Sequence, residues 1–180
     1  MRIISGIYKN RKINFKKLKS RPTTDFAKES LFNLLNNHYD LSSIYVLDLF
    51  SGSGNISYEF ISRGCQHITA IDNNVKCIEF MKKIKAELQM KNLNIKLKNI
   101  NYYIKKIEST YDIIFADPPY HYVQAHYMNI IENIFNRNLL KSSGMLIIEH
   151  SKFVNFEKHP FFLYQKKYGR VNFTFFKNEQ

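Results

Sequence analysis

The sequence predicts an α/β fold: a mostly parallel, seven-stranded sheet that ends in an antiparallel hairpin and is preceded by a short basic extension. Three observations predict it. From Tyr45 onward, short apolar runs alternate with segments of helical period. Asp48, Asp72 and Asp117 each stand at or next to the end of such a run, where a strand hands over to a turn. The last two runs, 161–168 and 171–177, meet at Gly169 with no helix between them.

Each element follows in order. Residues 1–21 alternate apolar and basic positions around Gly6 and Asn10, which predicts a short hairpin. Arg21-Pro22-Thr23-Thr24-Asp25 then leads into a helix over 26–35. Thr24 or Asp25 can cap that helix by accepting a bond from a free backbone N–H. Tyr45–Leu49 is the first strand of the alternating region, and it runs into a Gly-rich turn. A helix over 56–61 and a strand over 67–71 follow, the strand ending at Asp72. A long amphipathic helix covers 75–90, 95–98 is a weak strand, and Tyr111–Ala116 a strong one. A helix over 125–135 passes through Gly144 into a strand over 145–149. The expected organisation is one domain over 1–180, with a hairpin and helix in 1–40 and the core in 41–180. In such sheets ligands bind beyond the carboxyl ends of the strands.

The 180 residues are 44% hydrophobic, enough for one core filled by Phe and Tyr without Trp. A net charge of +12 points to a polyanionic partner, although Lys-, Asn- and Ile-rich usage also reflects compositional bias. Cys65 and Cys77 have no metal-ligand spacing, and no His motif suggests a metal. The two cysteines, the lack of a signal-peptide core and the lack of a membrane-length apolar stretch predict a soluble protein of the reducing cytoplasm.

Asp48-Leu49-Phe50-Ser51-Gly52-Ser53-Gly54 lies where the first strand turns into a helix. Gly52 and Gly54 allow a tight bend and bring backbone N–H groups near a ligand. A dinucleotide fingerprint needs a third glycine, and Ser57 stands there instead. Asp72, after the next strand, is placed to hold ribose hydroxyls. That leaves a dinucleotide or S-adenosylmethionine as cofactor. A carboxylate at Asp48 would repel a pyrophosphate but suits the ammonium of a methionine moiety, which favours S-adenosylmethionine.

Asp117-Pro118-Pro119-Tyr120 closes the strand YDIIFA. Two prolines stiffen the turn and leave its carbonyls free to accept. An exocyclic amine on a base is a poor nucleophile because its lone pair is delocalised into the ring. Acceptors at its two protons, here the Asp117 carboxylate and the Pro118 carbonyl, favour a tetrahedral nitrogen that can attack a methyl group. Tyr120 can stack on the base, a contact worth roughly 1–3 kcal/mol.

Together these motifs resemble the RsmD family, bacterial methyltransferases of a guanine N2 amine in 16S small-subunit ribosomal RNA. The resemblance runs over nearly the whole chain: RIISG, RPTTDFAKESLFNLL, DLFSGSGNISYEFISRG, DPPY, GMLIIEHS and KKYGRVNFTFF. It implies a Rossmann-like class I methyltransferase fold. It also implies that Asp48, Gly52 and Gly54 surround the methionine part of S-adenosylmethionine, Asp72 its ribose and Asn101 its adenine. Asn101 stands where many relatives carry an acid, and NISYEF is bulkier than usual after the glycines, though Glu59 keeps its place in the pattern. Asp117, Pro118, Pro119 and Tyr120 would hold a guanine that has left its stack. His121, Glu149 and His150 stand at or just beyond strand ends, a place that can line a substrate pocket but favours a structural role over a catalytic one. Arg2, Lys9, Arg11, Lys12 and Arg21 would touch RNA phosphates. The implied partner is 16S rRNA in the small ribosomal subunit, met by a monomer without metal or membrane. Two alternatives share parts of the pattern: an adenine-N6 methyltransferase of DNA, and a catalytically inactive RNA-binding protein.

Overall fold

The structure is a computed structural model and describes residues 1–15, 18 and 23–178. Its elements in chain order are α1 (Asp25–Asn36), β1 (Tyr45–Leu49), α2 (Asn55–Ser62), β2 (His67–Asp72), α3 (Val75–Glu87), β3 (Leu93–Leu97) and α4 (Ile100–Ile104). They continue with β4 (Tyr111–Ala116), α5 (Gln124–Asn136), β5 (Leu140–His150), β6 (Phe162–Tyr168) and β7 (Val171–Phe176). The sheet order is β3-β2-β1-β4-β5-β7-β6. The first five strands pair in parallel, and β7 is antiparallel to both β5 and β6, as the missing helix before β7 predicts.

Alternation along each strand divides the interior into two cores, one on each face. Val46, Ile113, Phe115, Ile147 and Phe173 pack against Leu31 and Phe32 of α1, Phe60 of α2 and Met81 of α3. Leu47, Leu49, Ile114, Leu146 and Ile148 pack against Tyr103 of α4 and Ile130, Ile131 and Ile134 of α5. Strands covered on both faces read as continuous apolar runs, which is why β1 and β4 stand out in the sequence.

Local chemistry sets the helix starts. The Thr24 side chain accepts from the Ala27 N–H at 3.2 Å, as expected, while Asp25 supplies a carboxylate to the first turn. Asn74 caps α3 and Asn99 caps α4 in the same way. The sequence reading misses α4, because five residues show too little of a helical period. It also begins β5 five residues late, since the β4–β5 register shifts between Tyr111 and Ile113 and breaks the apolar run.

The expected N-terminal hairpin is present but small. Among the described residues it has a single bridge, Arg2 to Lys12, supported by Ile3 N–H to the Arg11 carbonyl and Asn10 N–H to the Ile3 carbonyl. What holds it is α2. Ile4 and Ser5 donate their N–H groups to the two Glu59 carboxylate oxygens at 2.8 and 3.0 Å, and Ile7 donates to the Ser62 carbonyl at 2.8 Å. Gly6 makes this docking possible. Its φ is +82°, and a Cβ there would fall 1.7 Å from the Ser62 carbonyl oxygen.

Glu59 is fully buried, and so is its partner Lys28, 3.4 Å away on α1. Arg63 completes the group at 2.8 Å. Burial lowers the Lys28 pKa, while the Glu59 charge acts in the other direction. Removing one member of such a pair leaves an uncompensated buried charge, which costs about 3–5 kcal/mol. Glu59→Ala is therefore expected to lose about that much stability in urea unfolding and to expose the hairpin to protease. A loss below about 0.5 kcal/mol, the size of an ordinary surface change, would contradict this account.

Candidate active site

The carboxyl ends of β1, β2, β4 and β5 bring the sequence-selected acids to one edge of the sheet. After β1 the chain turns through three residues of positive φ, Phe50, Gly52 and Gly54. Gly54 has a φ of +83°, and a Cβ there would lie 2.5 Å from Cζ of the Tyr58 ring. This close approach explains why a large side chain can follow the glycines: Tyr58 packs beneath the turn in place of a smaller residue. The turn is also tied to the end of β2. Gly52 N–H donates to one Asp72 oxygen at 2.7 Å, and Asn74 N–H to the other at 2.8 Å. A carboxylate has about four accepting positions, so each oxygen keeps a lone pair for a hydroxyl.

Asp48 is buried on β1, where its carboxyl accepts from the Ser57 hydroxyl at 2.5 Å. Burial pushes its pKa up to about 7; the Ser57 bond opposes this and the Asp72 charge adds to it. A buried carboxyl with no cation beside it among the described residues suits a ligand that brings a positive charge. A backbone-lined turn, a buried acid before it and a second acid after the next strand form a set that fits S-adenosylmethionine, with its ammonium, carboxylate and ribose.

Two cavities meet here. One is lined by Asp48, Gly52, Ser53, Asn55, Thr23 and Asp117. The other, of about 350 Å³, is lined by Asp117, Pro118, Tyr120, Glu149, Thr23 and Tyr168 among others. Asp117 and Thr23 belong to both. Asp117 follows β4 directly, and its pKa is raised well above the ordinary value, first by burial and then by the charges of Glu149 and Asp48. Pro118 is buried, while Pro119 and Tyr120 are exposed. Tyr120 is thus a large ring at the cavity mouth, 77% exposed.

The other candidates divide. Glu149 and His150 are buried and line the second cavity, but His150 is spent on structure, bonded to the Thr174 hydroxyl at 2.7 Å and the Ser151 carbonyl at 2.8 Å. His121 is exposed beside Tyr122. Asn101 lies exposed on the first turn of α4 and lines neither cavity. Arg2, Lys9, Arg11 and Lys12 are exposed on the hairpin; Arg2 faces Asp25 at 3.7 Å. Arg11 and Lys12 line a groove with Phe80, Lys83 and Glu87 of α3. Arg21 lies outside the described residues.

Sequence reasoning misses the second layer. Asn55, the first residue of α2, donates to the Thr23 carbonyl at 2.9 Å and accepts from Lys28 Nζ at 2.8 Å. Thr23 in turn donates its hydroxyl to Glu149 at 2.6 Å. The only signal for these contacts is the RPTTD string, whose order says nothing about partners more than 100 positions away. Among the described residues no group of three or more His, Cys, Asp or Glu could hold a metal, and no helix is long and apolar enough to cross a membrane.

The sheet order is that of the Rossmann-like class I methyltransferase fold. The chain belongs, more narrowly, to the RsmD family: the family described as conserved hypothetical protein 95 matches residues 1–177. The ribosomal RNA small subunit methyltransferase D of Buchnera aphidicola subsp. Baizongia pistaciae is 36% identical over 156 residues, covering 86% of this chain and 78% of the relative. A hypothetical protein of Thermus thermophilus shares the fold with a TM-score of 0.84 at 18% identity, over 99% of both chains. The Thermus thermophilus 16S rRNA N2 G1207 methyltransferase, solved with AdoMet and guanosine, gives a TM-score of 0.72 at 17% identity, over 90% of this chain and 45% of that one.

Asp48 provides a test that separates binding from stability. Its folded pKa of about 7 lies above the ordinary 3.8, so the folded state holds more protons than the unfolded one and stability falls as pH rises between them. Asp48→Asn removes that penalty. At pH 8 the ligand-free variant is expected to be more stable than wild type by about 1–4 kcal/mol in thermal or urea unfolding, with no gain at pH 4. The same variant should bind S-adenosylmethionine at least about ten-fold more weakly by calorimetry. A variant less stable at pH 8, or one with undiminished affinity, would refute this role.

Proposed function

We propose that this protein uses S-adenosylmethionine to methylate the N2 amine of a guanine in 16S small-subunit rRNA, acting on a base that has left its stack. The observation that carries the proposal is the meeting of the two cavities at Asp117. A group transferred from a cofactor in the first to a base in the second must pass that carboxyl. The activity named for the Buchnera relative and the guanosine held by the distant Thermus thermophilus enzyme support the substrate class. The net charge of +12 and the exposed basic hairpin suit an RNA phosphate backbone.

In this reading Asp48, Gly52, Gly54 and Asp72 hold the cofactor, which supplies an electrophilic methyl group on a sulfonium centre. The Asp117 carboxylate and the Pro118 carbonyl accept the two amine hydrogens and turn the nitrogen lone pair toward the first cavity. Stiffness matters here, because positioning is the main contribution a protein can make to a direct displacement. The Pro118-Pro119 pair provides it. Tyr120 covers the base, and Asp117 takes the proton released when the amine has gained its methyl group. The chain acts as one domain, in which residues 1–40 engage RNA through Arg2, Lys9, Arg11, Lys12 and Arg21 and 41–180 carry out the transfer. A monomer of the bacterial cytoplasm meeting the ribosomal small subunit completes the proposal.

The test is transfer of labelled methyl from S-adenosylmethionine to unmodified small subunits, naked 16S rRNA and duplex DNA. Label is expected on one guanine amine of the ribosomal substrate, with Asp117→Ala reducing the rate by about 10²-fold or more. Because only the ionised carboxyl accepts fully and burial raises its pKa, the rate should climb with pH well above the usual carboxylate range, and Asp117→Asn should flatten that climb. Label on DNA adenine, or an Asp117→Ala rate equal to wild type, would overturn the proposal.

A further inference from the structure

Glu149 has no part in the chemistry so far, yet its position is costly. It lies one residue past the last β4–β5 pair, Ala116 with Ile148, and therefore beside Asp117 in the parallel register. Phe115 and Ile147 face the α1 side of the sheet, and strand alternation returns Asp117 and Glu149 to that same side two residues later. Two carboxyls thus stand together at the strand ends, Glu149 buried and Asp117 partly so, where burial raises the pKa of each and the Glu149 charge raises that of Asp117 further. An apolar residue would relieve both effects. Glu149 is instead held in place, with the Thr23 hydroxyl bonding Oε2 at 2.6 Å, and it lines the same cavity as Asp117, Pro118 and Tyr120.

The edge of guanine that carries the N2 amine presents donors side by side: two amine hydrogens, then the N1–H. Acceptors for the amine hydrogens are the Asp117 carboxyl and the Pro118 carbonyl. An acceptor for N1–H has to stand beside them. Adenine is the opposite at this point, with an amine next to a bare ring nitrogen that itself accepts. We propose that Glu149, positioned by Thr23, determines base specificity by accepting the N1–H of the target guanine and excluding bases whose ring nitrogen there is an acceptor. The inference rests on the guanine-amine reading above and goes beyond it by assigning the discrimination to one carboxyl. A single bond from Thr23 leaves a carboxylate most of its accepting capacity. The other ionisable groups lining the cavity are Asp117 at the end of β4, His150 beside Glu149, Tyr127 of α5, Tyr120 of the turn and Tyr168 and Arg170 of the β6–β7 hairpin. Burial keeps His150 neutral, since it lowers that pKa, so it brings no competing charge.

The probes are three nucleosides: guanosine, adenosine and 2-aminopurine riboside, which keeps an amine at position 2 but has a bare N1. Each is titrated in NMR into protein saturated with S-adenosylhomocysteine, at about pH 8.5, where a carboxyl of raised pKa is ionised. Wild type is expected to bind guanosine about ten-fold or more tightly than 2-aminopurine riboside, the scale of one good base-edge contact. In Glu149→Gln the amide can turn an N–H toward a bare N1, so the preference should fall to near unity or invert. Thr23→Val keeps the shape of the side chain and the fold of the turn, loosens Glu149, and should lower the preference part of the way. A guanosine preference unchanged in Glu149→Gln, or equal binding of guanosine and 2-aminopurine riboside by wild type, would overturn the role of Glu149 alone. Wild type that binds adenosine and not guanosine would overturn the guanine reading with it.

Discussion

The structure depends on one buried ion pair. Lys28 of α1 and Glu59 of α2 are both removed from solvent, 3.4 Å apart, and each carries further bonds to the parts it joins. Lys28 reaches the Arg2 carbonyl at 2.7 Å and Asn55 at 2.8 Å; Glu59 receives the backbone of Ile4 and Ser5 and the Arg63 side chain. Buried charges are tolerated only when their bonding positions are filled, and here they are filled by backbone groups from the hairpin and a side chain at the start of α2. The pair therefore fixes the N-terminal extension, the first helix and the glycine turn relative to one another. Asn55 continues the network to Thr23, and Thr23 continues it to Glu149 at the far side of the site.

This network shares its edge of the sheet with a concentration of acids that ordinary packing would not favour. Asp48, Asp117 and Glu149 all have raised pKa values, with burial the leading cause in each. None has a lysine or arginine bonded to it among the described contacts, and Lys28 and Arg63 are committed to Glu59. Arg2, Lys9, Arg11 and Lys12 on the hairpin and Lys83 on α3 instead face solvent, while Arg170 of the β6–β7 turn lines the second cavity. Such a division suits a centre that takes a cationic cofactor and donor-rich base edge inside while meeting a polyanion outside.

Much of this is legible in the sequence, for reasons that can be named. The doubly covered strands β1 and β4 read as unbroken apolar runs, and an acid at or just past the end of each marks the site. The cap at Thr24 and the hairpin at Gly169 follow from local chemistry, which the sequence carries directly. What local chemistry does not carry is partner choice across the chain. Nothing in the spacing of Lys28 and Glu59 announces an ion pair, and a lysine within a helix ordinarily reads as a solvated face. Glu149 reads as a strand-end residue of mainly structural use, and only its register beside Asp117 says otherwise. Helix α4 escapes notice because its one turn is fixed by Asn99 and by packing of Tyr103, not by an amphipathic period.

Thr23 then explains why the N-terminal segment is part of the candidate site and is more than an attachment to it. Its carbonyl holds Asn55 at the glycine turn, and its hydroxyl holds Glu149 at the second cavity, so one residue ties the two together. It stands next to Thr24, the cap of α1, whose conformation is fixed by the helix it starts. The hairpin is anchored to the same helix through Lys28 and to α2 through Glu59. Any displacement of the hairpin by a bound polyanion must act on that ion pair, and through Asn55 and Thr23 on both cavities. Rigid coupling of this kind favours a site that is already assembled before substrate arrives, because the links from Lys28 through Asn55 and Thr23 to Glu149 are buried bonds whose loss would cost more than a surface contact could return.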